Sequence, residues 1–234
     1  TAGVYGGVHV SDSEMIENNV LGFMNLADAL SNIEYECFIN TGSSAEYGPK
    51  QTSMSETDVC EPITTYGISK LAATQYATYL AKIKSRPVVT LRLFSPYGFF
   101  DDKCRLIPTV IAKLLNNEQL VLGNPNSVRD FIFISDVIDA YLQCAHRAVE
   151  YKGEVFNIGS GLEYGVENIV DSIAQSLHIN PSVSWGNINS ARPWESTRWR
   201  ADISKAQRLL GWRPQVSIEE GLSQTILWMR NNVK

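Results

Sequence analysis

The sequence has few of the features that mark metal-binding, secreted or membrane-spanning proteins. Its 234 residues include four cysteines without a Cys-x-x-Cys pair, so we expect free thiols and a cytoplasmic location. Its three histidines are scattered, with no second ligand at metal-binding spacing, so we expect no metal. It has no apolar run long enough for a membrane span, and no charged segment followed by an apolar one at its start. Neither a span nor a secretory signal is therefore expected.

The chain also has no excess of positive charge. Its formal net charge is −5, which argues against a basic surface for nucleic acid. The apolar fraction of 44% and the charged fraction of 19% are ordinary for a globular protein, and the length is enough for one or two domains with a hydrophobic core.

Apolar residues at helical spacing alternate along the chain with short β-branched runs. The pattern predicts helices over 14–30, 65–84, 105–117, 136–149, 165–178, 203–210 and 217–231, and strands over 36–40, 87–94, 131–134, 154–158 and 182–185. Such alternation is typical of an α/β protein with a mainly parallel sheet. Ligands of such sheets collect outside the carboxyl ends of the strands, so residues that follow a strand are candidates for a site.

Tyr66 and Lys70 are the most informative pair of residues. They are four positions apart in a predicted helix, so their side chains are neighbours on one face. The Lys70 ammonium is expected to lower the pKa of the Tyr66 phenol from its usual value of about 10, which makes the phenol a usable proton acceptor near neutral pH. Without further context, a pair at this spacing is more often an ordinary surface pair. The neighbouring sequence decides between that interpretation and a catalytic pair.

Two turns follow predicted strands on either side of that helix. The first, over 42–48, is rich in serine, and its Ser43 is well placed to offer a hydroxyl to a substrate oxygen. An ordinary serine turn that hydrogen-bonds its own backbone is the alternative. The second turn, over 95–98, follows the strand predicted over 87–94.

These residues resemble the extended short-chain dehydrogenase/reductases that act on nucleotide sugars. Ser43, Tyr66 and Lys70 match that family's catalytic set. Further matches follow in the family's order over 91–98, 129–137, 156–161, 192–193, 201–202, 210–214 and 220–222. The resemblance implies an α/β fold: a Rossmann-type, N-terminally incomplete NAD(P)-binding domain over 1–98 and 129–159, with a smaller C-terminal α/β nucleotide-sugar-binding domain over 99–128 and 160–234.

The resemblance also implies roles for individual residues. Tyr66 exchanges a proton with a sugar hydroxyl or ketone, while Lys70 lowers its pKa and hydrogen-bonds the nicotinamide ribose. Ser43 hydrogen-bonds the reacting oxygen. Pro96 approaches the nicotinamide amide, and Thr41 joins Tyr66, Lys70 and Pro96 in holding the cofactor, which is NAD or NADP.

A nucleotide-diphosphate sugar is the implied substrate. Arg129 and Arg192 match positions that reach its phosphates or ribose, where guanidinium geometry is suitable. A salt bridge with Asp130 and a surface loop charge are the alternatives for these arginines. The implied substrate-binding set is Ser43, Ser44, Ser95, Ile107, Arg129 and Arg192.

Several members of this set carry open questions. Ser44 is the second candidate for the catalytic hydroxyl, and Ser95 stands where the family often has an asparagine that contacts the sugar nucleotide. Ile107 belongs to a segment that resembles the lining of the nucleotide pocket. Trp194 and Trp199 either stack on a base or sugar or pack the smaller domain.

Two departures from the family pattern limit the expected reaction and the expected length. The sugar dehydratases carry Asp-Glu after their catalytic threonine, whereas this chain has Ser44 and Ala45, so 4,6-dehydration is not expected. The Gly-x-x-Gly-x-x-Gly loop that holds the cofactor pyrophosphate is missing, since Gly3, Gly6 and Gly7 have other spacings. About 60 to 70 residues, roughly two βα units, are expected to be absent. We therefore expect a fragment of a longer protein, or a partner that covers the gap.

Three functions compete on this basis. The leading hypothesis is an NAD(P)-dependent nucleotide-sugar epimerase that acts through transient oxidation at the sugar C4 hydroxyl. The second is a reductase of 4-keto-6-deoxy nucleotide sugars, which uses the same three residues in one direction. The third is a non-catalytic remnant that binds a nucleotide sugar or a protein. A homodimer, which many relatives form, would use the helices predicted over 14–30 and 65–84.

Overall fold

A computed structural model describes residues 10–186 and 198–232, in which helices and strands alternate as the sequence predicts. The strands, β1 to β9, are Phe38–Ser43, Val88–Leu93, Ser95–Tyr97, Leu120–Leu122, Val128–Arg129, Phe131–Phe133, Val155–Ile158, Tyr164–Gly165 and Val183–Trp185. The α-helices, α1 to α7, are Asp12–Ile16, Gly22–Ala29, Thr65–Lys82, Leu106–Leu115, Ile134–His146, Val166–Leu177 and Ile218–Asn232. None of the helices in these ranges is long and apolar enough to cross a membrane. The predicted α/β class is confirmed.

The main sheet has three parallel strands in the order β1-β2-β7. β1 pairs with β2 along six residues, from Phe38 opposite Val88 to Ser43 opposite Leu93. β2 pairs with β7 along four residues, and α3 forms the crossover from β1 to β2. Because the strands are parallel, their carboxyl ends lie at one edge of the sheet, and the turns that follow them meet there.

The helix α3 lies close to the sheet because its inner face carries small residues. Thr64 caps the helix, and its hydroxyl accepts a hydrogen bond from the Gly67 amide at 3.1 Å. An added Cβ at Gly67 would overlap the carbonyl oxygen of Ala45, in the turn after β1. Ala73 is buried farther along the helix. This close approach holds the first turn of α3, with Tyr66, against the end of β1.

A second group of elements packs around its own hydrophobic cluster. The helices α4, α6 and α7 contribute most of it, and the nearly fully buried Ile111, Ile173 and Leu222 are among its members. β4 pairs with β9 in parallel, β5 pairs with β8 in antiparallel orientation, and β3 pairs with β6 in parallel. The division of the chain at residues 98, 128 and 159 stays a prediction.

Some local features depart from the sequence-based expectations. β3, β4, β5 and β8 were not predicted; strands of two or three residues show little periodicity, and among the described strands of that length only β6 and β9 were predicted. The helix predicted over 14–30 is interrupted by a π-helical turn, Glu17–Leu21, and the one predicted over 203–210 contains another, Ala206–Leu210. A π-helical turn changes the backbone hydrogen bonding by one residue, which the apolar pattern does not reveal.

Candidate active site

A cavity of about 670 Å³ opens at the carboxyl ends of β1 and β2, beside the first turn of α3. Its volume is in the range of small-molecule sites. Seven of the sequence-predicted residues line it: Thr41, Ser43, Ser44, Tyr66, Ser95, Pro96 and Arg129. The structure thus brings most of the predicted set to one place.

Tyr66 and Lys70 lie on one face of α3. The Lys70 ammonium is 5.8 Å from the centre of the Tyr66 ring. It also reaches the sheet, where it donates a hydrogen bond to the Thr41 carbonyl oxygen at 3.1 Å. Burial lowers the pKa of Lys70, and the negative charge of Glu46 opposes this shift. The lysine therefore joins α3 to β1 and places a positive charge beside the phenol.

Ser43 ends β1 and caps the short 3₁₀ turn Ser44–Glu46. Its hydroxyl oxygen accepts a hydrogen bond from the Ala45 amide at 3.2 Å, and its own amide donates to Oε1 of Glu46 at 2.8 Å. This reciprocal pattern is a capping box. The local backbone bond considered as the alternative is therefore present, and the hydroxyl lines the cavity as well. Because the oxygen acts as the acceptor in this bond, and the described residues show no hydrogen bond donated by the hydroxyl, its hydrogen is available to a ligand.

Ser44 is held by a side chain from a distant part of the chain. Its hydroxyl oxygen accepts a hydrogen bond from the indole nitrogen of Trp199 at 3.0 Å, and both residues are buried. Trp199 packs with Tyr47 and Phe94, lines the cavity, and has its ring centre 5.3 Å from the Arg129 guanidinium. Trp199 therefore packs against residues of the predicted Rossmann-type part, while its packing within the smaller domain and its stacking on a ligand stay predictions.

Two guanidinium groups line the cavity, one predicted and one missed. Arg129 donates to the Ser127 hydroxyl at 3.2 Å and to the Val128 carbonyl oxygen at 2.6 Å. Arg105, which the sequence analysis did not select, forms an ion pair of 3.3 Å with Asp101. Its position directly before the segment 106–108, already assigned to a nucleotide pocket, is the signal that would have found it.

Asp130 anchors the part of the wall that carries Arg129. It is fully buried, and its carboxylate accepts hydrogen bonds of 2.6 to 3.0 Å from the amides of Ser160, Gly161 and Ala201 and from the Ser160 hydroxyl. Burial raises the pKa of Asp130 to about 6, although these donors oppose the shift. One carboxylate therefore ties the segment around Ala201 to the strand β5.

Other predicted residues are not part of the cavity wall. Lys70 does not line the cavity, and its ammonium lies 5.8 Å from the centre of the Tyr66 ring. Ile107 is 2% exposed and packs in the hydrophobic cluster of α4, so its side chain does not reach the cavity. The apolar spacing of α4 places that residue on the inner face of the helix. Arg192 and Trp194 fall outside the described residues.

The arrangement is suited to proton transfer on an anionic ligand. A phenol beside a cation exchanges a proton with a ligand hydroxyl, and a serine hydroxyl stabilises the charge that develops on the same oxygen. Arg105 and Arg129 add two positive charges to the same cavity, as a phosphate-bearing ligand requires.

The chain is similar to known proteins along most of its length. The model of the NAD dependent epimerase/dehydratase family matches residues 1–159. A putative UDP-glucose 4-epimerase of Methanocaldococcus jannaschii is 28% identical over 92% of this chain and 70% of its own length. A dTDP-4-dehydro-6-deoxyglucose reductase of Escherichia coli is 30% identical over 94% of this chain and 69% of its own length. The chain thus spans about 70% of the length of these relatives.

A solved structure shows the same fold with ligands present. The UDP-glucuronic acid 4-epimerase of Bacillus cereus, in complex with UDP-glucuronic acid and NAD, superposes with a TM-score of 0.87. The two sequences are 26% identical, and the match covers 93% of this chain and 69% of that protein.

Proposed function

The chain belongs to the NAD dependent epimerase/dehydratase family, and we propose that within this family it acts as a nucleotide-sugar 4-epimerase. The observation that carries the proposal is the meeting of Tyr66, Lys70 and Ser43 where β1 ends, beside the cavity. Ser44 and Ala45 stand where the sugar dehydratases of the family carry Asp and Glu. Without an acid there to protonate a departing hydroxyl, dehydration is disfavoured.

In this proposal, Tyr66 takes the proton of the sugar C4 hydroxyl and later returns it. The Lys70 charge favours the phenolate that accepts the proton. The Ser43 hydroxyl donates a hydrogen bond to the same sugar oxygen and stabilises its developing charge. Inversion at C4 would require the keto sugar to present its other face before a hydride returns to that carbon, and a cavity of about 670 Å³ leaves space for that rotation.

The described residues fit the nicotinamide half of NAD. The Lys70 ammonium has three donors, and within the described ranges its hydrogen bond goes to the Thr41 carbonyl, so two donors remain for ribose hydroxyls. We assign Tyr66, Lys70, Thr41 and Pro96 to this half of the cofactor. Bound NAD supplies a hydride acceptor and donor for the C4 carbon. NAD is preferred over NADP because the Bacillus cereus 4-epimerase was solved with NAD.

We assign the diphosphate of the sugar nucleotide to the neighbourhood of Arg105 and Arg129. Both guanidinium groups line the cavity, and Trp199 offers an aromatic surface beside Arg129. Arg192 keeps the same predicted role. Sugars carried on UDP are the first candidates, because the two 4-epimerases described above are named for UDP sugars.

A reductase of 4-keto-6-deoxy nucleotide sugars is the second candidate. The Escherichia coli relative that is 30% identical carries that activity in its name. The same tyrosine, lysine and serine serve such a reaction in one direction, with the phenol as proton donor. The two candidates differ in cofactor use, since an epimerase recycles its cofactor and a reductase consumes it.

Incubation of the chain with NAD and either UDP-glucose or UDP-glucuronic acid tests the proposal. Product analysis by NMR is expected to show the C4 epimer, with no net change in the absorbance of reduced nicotinamide. Consumption of reduced cofactor in proportion to product would instead establish the reductase. Calorimetric binding of a UDP sugar without any turnover would favour the non-catalytic alternative. Tyr66→Phe, checked for folding by circular dichroism, is the inactive control.

A further inference from the structure

Glu46 is a fully buried carboxylate beneath the turn that carries Ser43. It is the last residue of the 3₁₀ turn, and the mechanism described above does not use it. Burying a charge is costly unless the charge is paired and hydrogen-bonded. The burial of the Glu46 carboxylate therefore requires a physical explanation.

Both carboxylate oxygens of Glu46 have partners from different elements. Oε1 accepts hydrogen bonds from the Ser43 amide at 2.8 Å and from the Thr74 hydroxyl at 3.1 Å. Oε2 accepts from Nε of Arg92 at 2.7 Å, and the two side chains are 0% and 5% exposed. Arg92 also lies 4.6 Å from the centre of the Tyr47 ring. One carboxylate thus links the end of β1 to β2 and to α3.

The surroundings are shaped to admit this carboxylate. Gly42 lies against it, and an added Cβ there would be 2.6 Å from Oε1 of Glu46 and 2.9 Å from the methyl carbon of Thr90. The Thr74 hydroxyl is fixed in turn by Asn40, whose side-chain amide donates to it at 3.3 Å. The position of Glu46 is therefore determined by packing on every side.

The charge of Glu46 also acts on the helix that carries Lys70. Thr74 follows Lys70 by one helical turn, so a carboxylate bonded to Thr74 lies on the same side of α3 as the ammonium. That charge raises the pKa of Lys70, against the larger lowering by burial. Within the described residues, the other titratable groups that interact in this region include Arg92, Tyr47 and Cys60, with Glu56 and Lys50 at its edge and Tyr66 beside the ammonium.

We propose that Glu46 is a positioning residue of the site, which fixes Ser43 through its amide and stabilises the Lys70 ammonium beside Tyr66. It touches neither the sugar nor the cofactor and acts through its neighbours. The inference rests on the proposed function, in which Ser43 and Lys70 serve the proton transfer.

The first test measures the midpoint of Lys70 deprotonation in the absence of substrate and cofactor. Glu46→Gln keeps the shape of the side chain and removes its charge. The matched control is Glu61→Gln, which removes the same charge from an exposed ion pair with Lys50. Trace acetylation with acetic anhydride across a pH series, quantified by mass spectrometry of the Lys70 peptide, gives the midpoint of deprotonation.

We expect the Lys70 midpoint of Glu46→Gln to fall by about 0.5 to 1 pH unit, because a stabilising negative charge is lost. The midpoint of Glu61→Gln is expected to match that of the unaltered chain. A folded Glu46→Gln protein with an unchanged midpoint overturns the proposal. This measurement needs no turnover, so its outcome does not depend on whether the chain is an epimerase. A lack of epimerase activity would contradict the proposed function alone.

The second test separates positioning from folding. Glu46→Gln is expected to lower kcat roughly 10- to 100-fold with KM within about 2-fold, since a displaced Ser43 costs orientation rather than binding. Thr74→Val keeps the ion pair between Glu46 and Arg92 and removes one hydrogen-bond donor to Oε1 of Glu46. It replaces Glu46→Gln as the test variant if Glu46→Gln does not fold. Its kcat is expected to fall about 3- to 10-fold. A normal kcat in the folded variants overturns the proposal.

Discussion

Replacement of Lys70 by methionine removes the positive charge beside Tyr66 and keeps a side chain of similar length. The ammonium lies 5.8 Å from the centre of the Tyr66 ring. Two unit charges at about that distance interact by about 3 kcal/mol at an effective dielectric constant of about 20, which corresponds to about two pKa units. Both side chains are only half-buried, so solvent screening reduces the effect. We expect the pKa of Tyr66 to rise by about one unit.

Ultraviolet difference titration measures this change without substrate. The chain has 10 tyrosines, so the Tyr66 signal is taken as the difference between each protein and the same protein with Tyr66→Phe. Lys70→Arg is the matched control, because it keeps a positive charge on the same turn of α3. In an active preparation, the acidic limb of kcat/KM is expected to move to higher pH by the same amount in Lys70→Met.

If the Tyr66 phenol titrates at the same pH in Lys70→Met and in the unaltered chain, the Lys70 charge does not lower its pKa. The same conclusion follows if the pKa of Tyr66 rises equally in Lys70→Arg and in Lys70→Met, since the loss of the Thr41 hydrogen bond would then explain both variants. Thermal unfolding of the three proteins shows whether the helix has kept its place.

Three further predictions concern packing, pH and charge. Gly67→Ala places a methyl group against the Ala45 carbonyl oxygen, so we expect the free energy of unfolding to fall by about 1 to 3 kcal/mol in urea denaturation. Burial raises the pKa of Asp130 to about 6, so between about pH 4 and pH 6 the folded chain holds a proton that the unfolded chain releases. The free energy of unfolding should therefore fall as the pH rises through that window, by up to about 3 kcal/mol, and Asp130→Asn should lack this dependence. Arg105→Gln removes a positive charge from the cavity wall, so calorimetry should show UDP binding roughly 10-fold weaker, with a smaller dependence on salt.

Matched variants control these measurements. Gly22→Ala is the control for Gly67, since an added Cβ there meets only the Glu17 carbonyl oxygen, at an ordinary 3.7 Å. It should be neutral or slightly stabilising in its helix. Arg208→Gln removes an exposed charge outside the cavity and should leave UDP binding unchanged. If a control variant changed stability or binding as much as its test variant, the contacts of Gly67 and Arg105 would not be the cause.

The long elements and the closeness of Tyr66 to Lys70 were within reach of the sequence, for physical reasons. α3 has a capping threonine and 18 residues, and the predicted strand over 87–94 is almost wholly apolar or β-branched. Spacing on one helix was enough to predict that Tyr66 and Lys70 are neighbours. Most of the short strands were missed because two or three residues do not establish a period, although β6 and β9, with three residues each, were predicted.

Contacts between distant segments were beyond such reasoning. The hydrogen bond between Ser44 and Trp199 joins positions 155 residues apart, and no local pattern indicates it. Arg105 was missed because a charged residue at the start of a helix is most often an ordinary surface group. Ile107 was assigned to a pocket through its segment, although the apolar periodicity of α4 already favoured its burial. Glu46 stood in the motif from the start, but its partners on β2 and α3 appear only after folding.

The hydrogen bond from Lys70 to the Thr41 carbonyl oxygen connects the strand β1, the turn that follows it and the start of α3. In the proposed function, the groups that transfer the proton, Tyr66, Lys70 and Ser43, lie within residues 43–70, whereas Arg105, Arg129 and Trp199 come from later segments of the chain. On that basis, proton transfer and much of the recognition are encoded in separate parts of the gene. We expect substitutions in the later segments to alter the choice of sugar nucleotide while the three proton-transfer residues keep their place, which makes those segments the rational place to begin engineering.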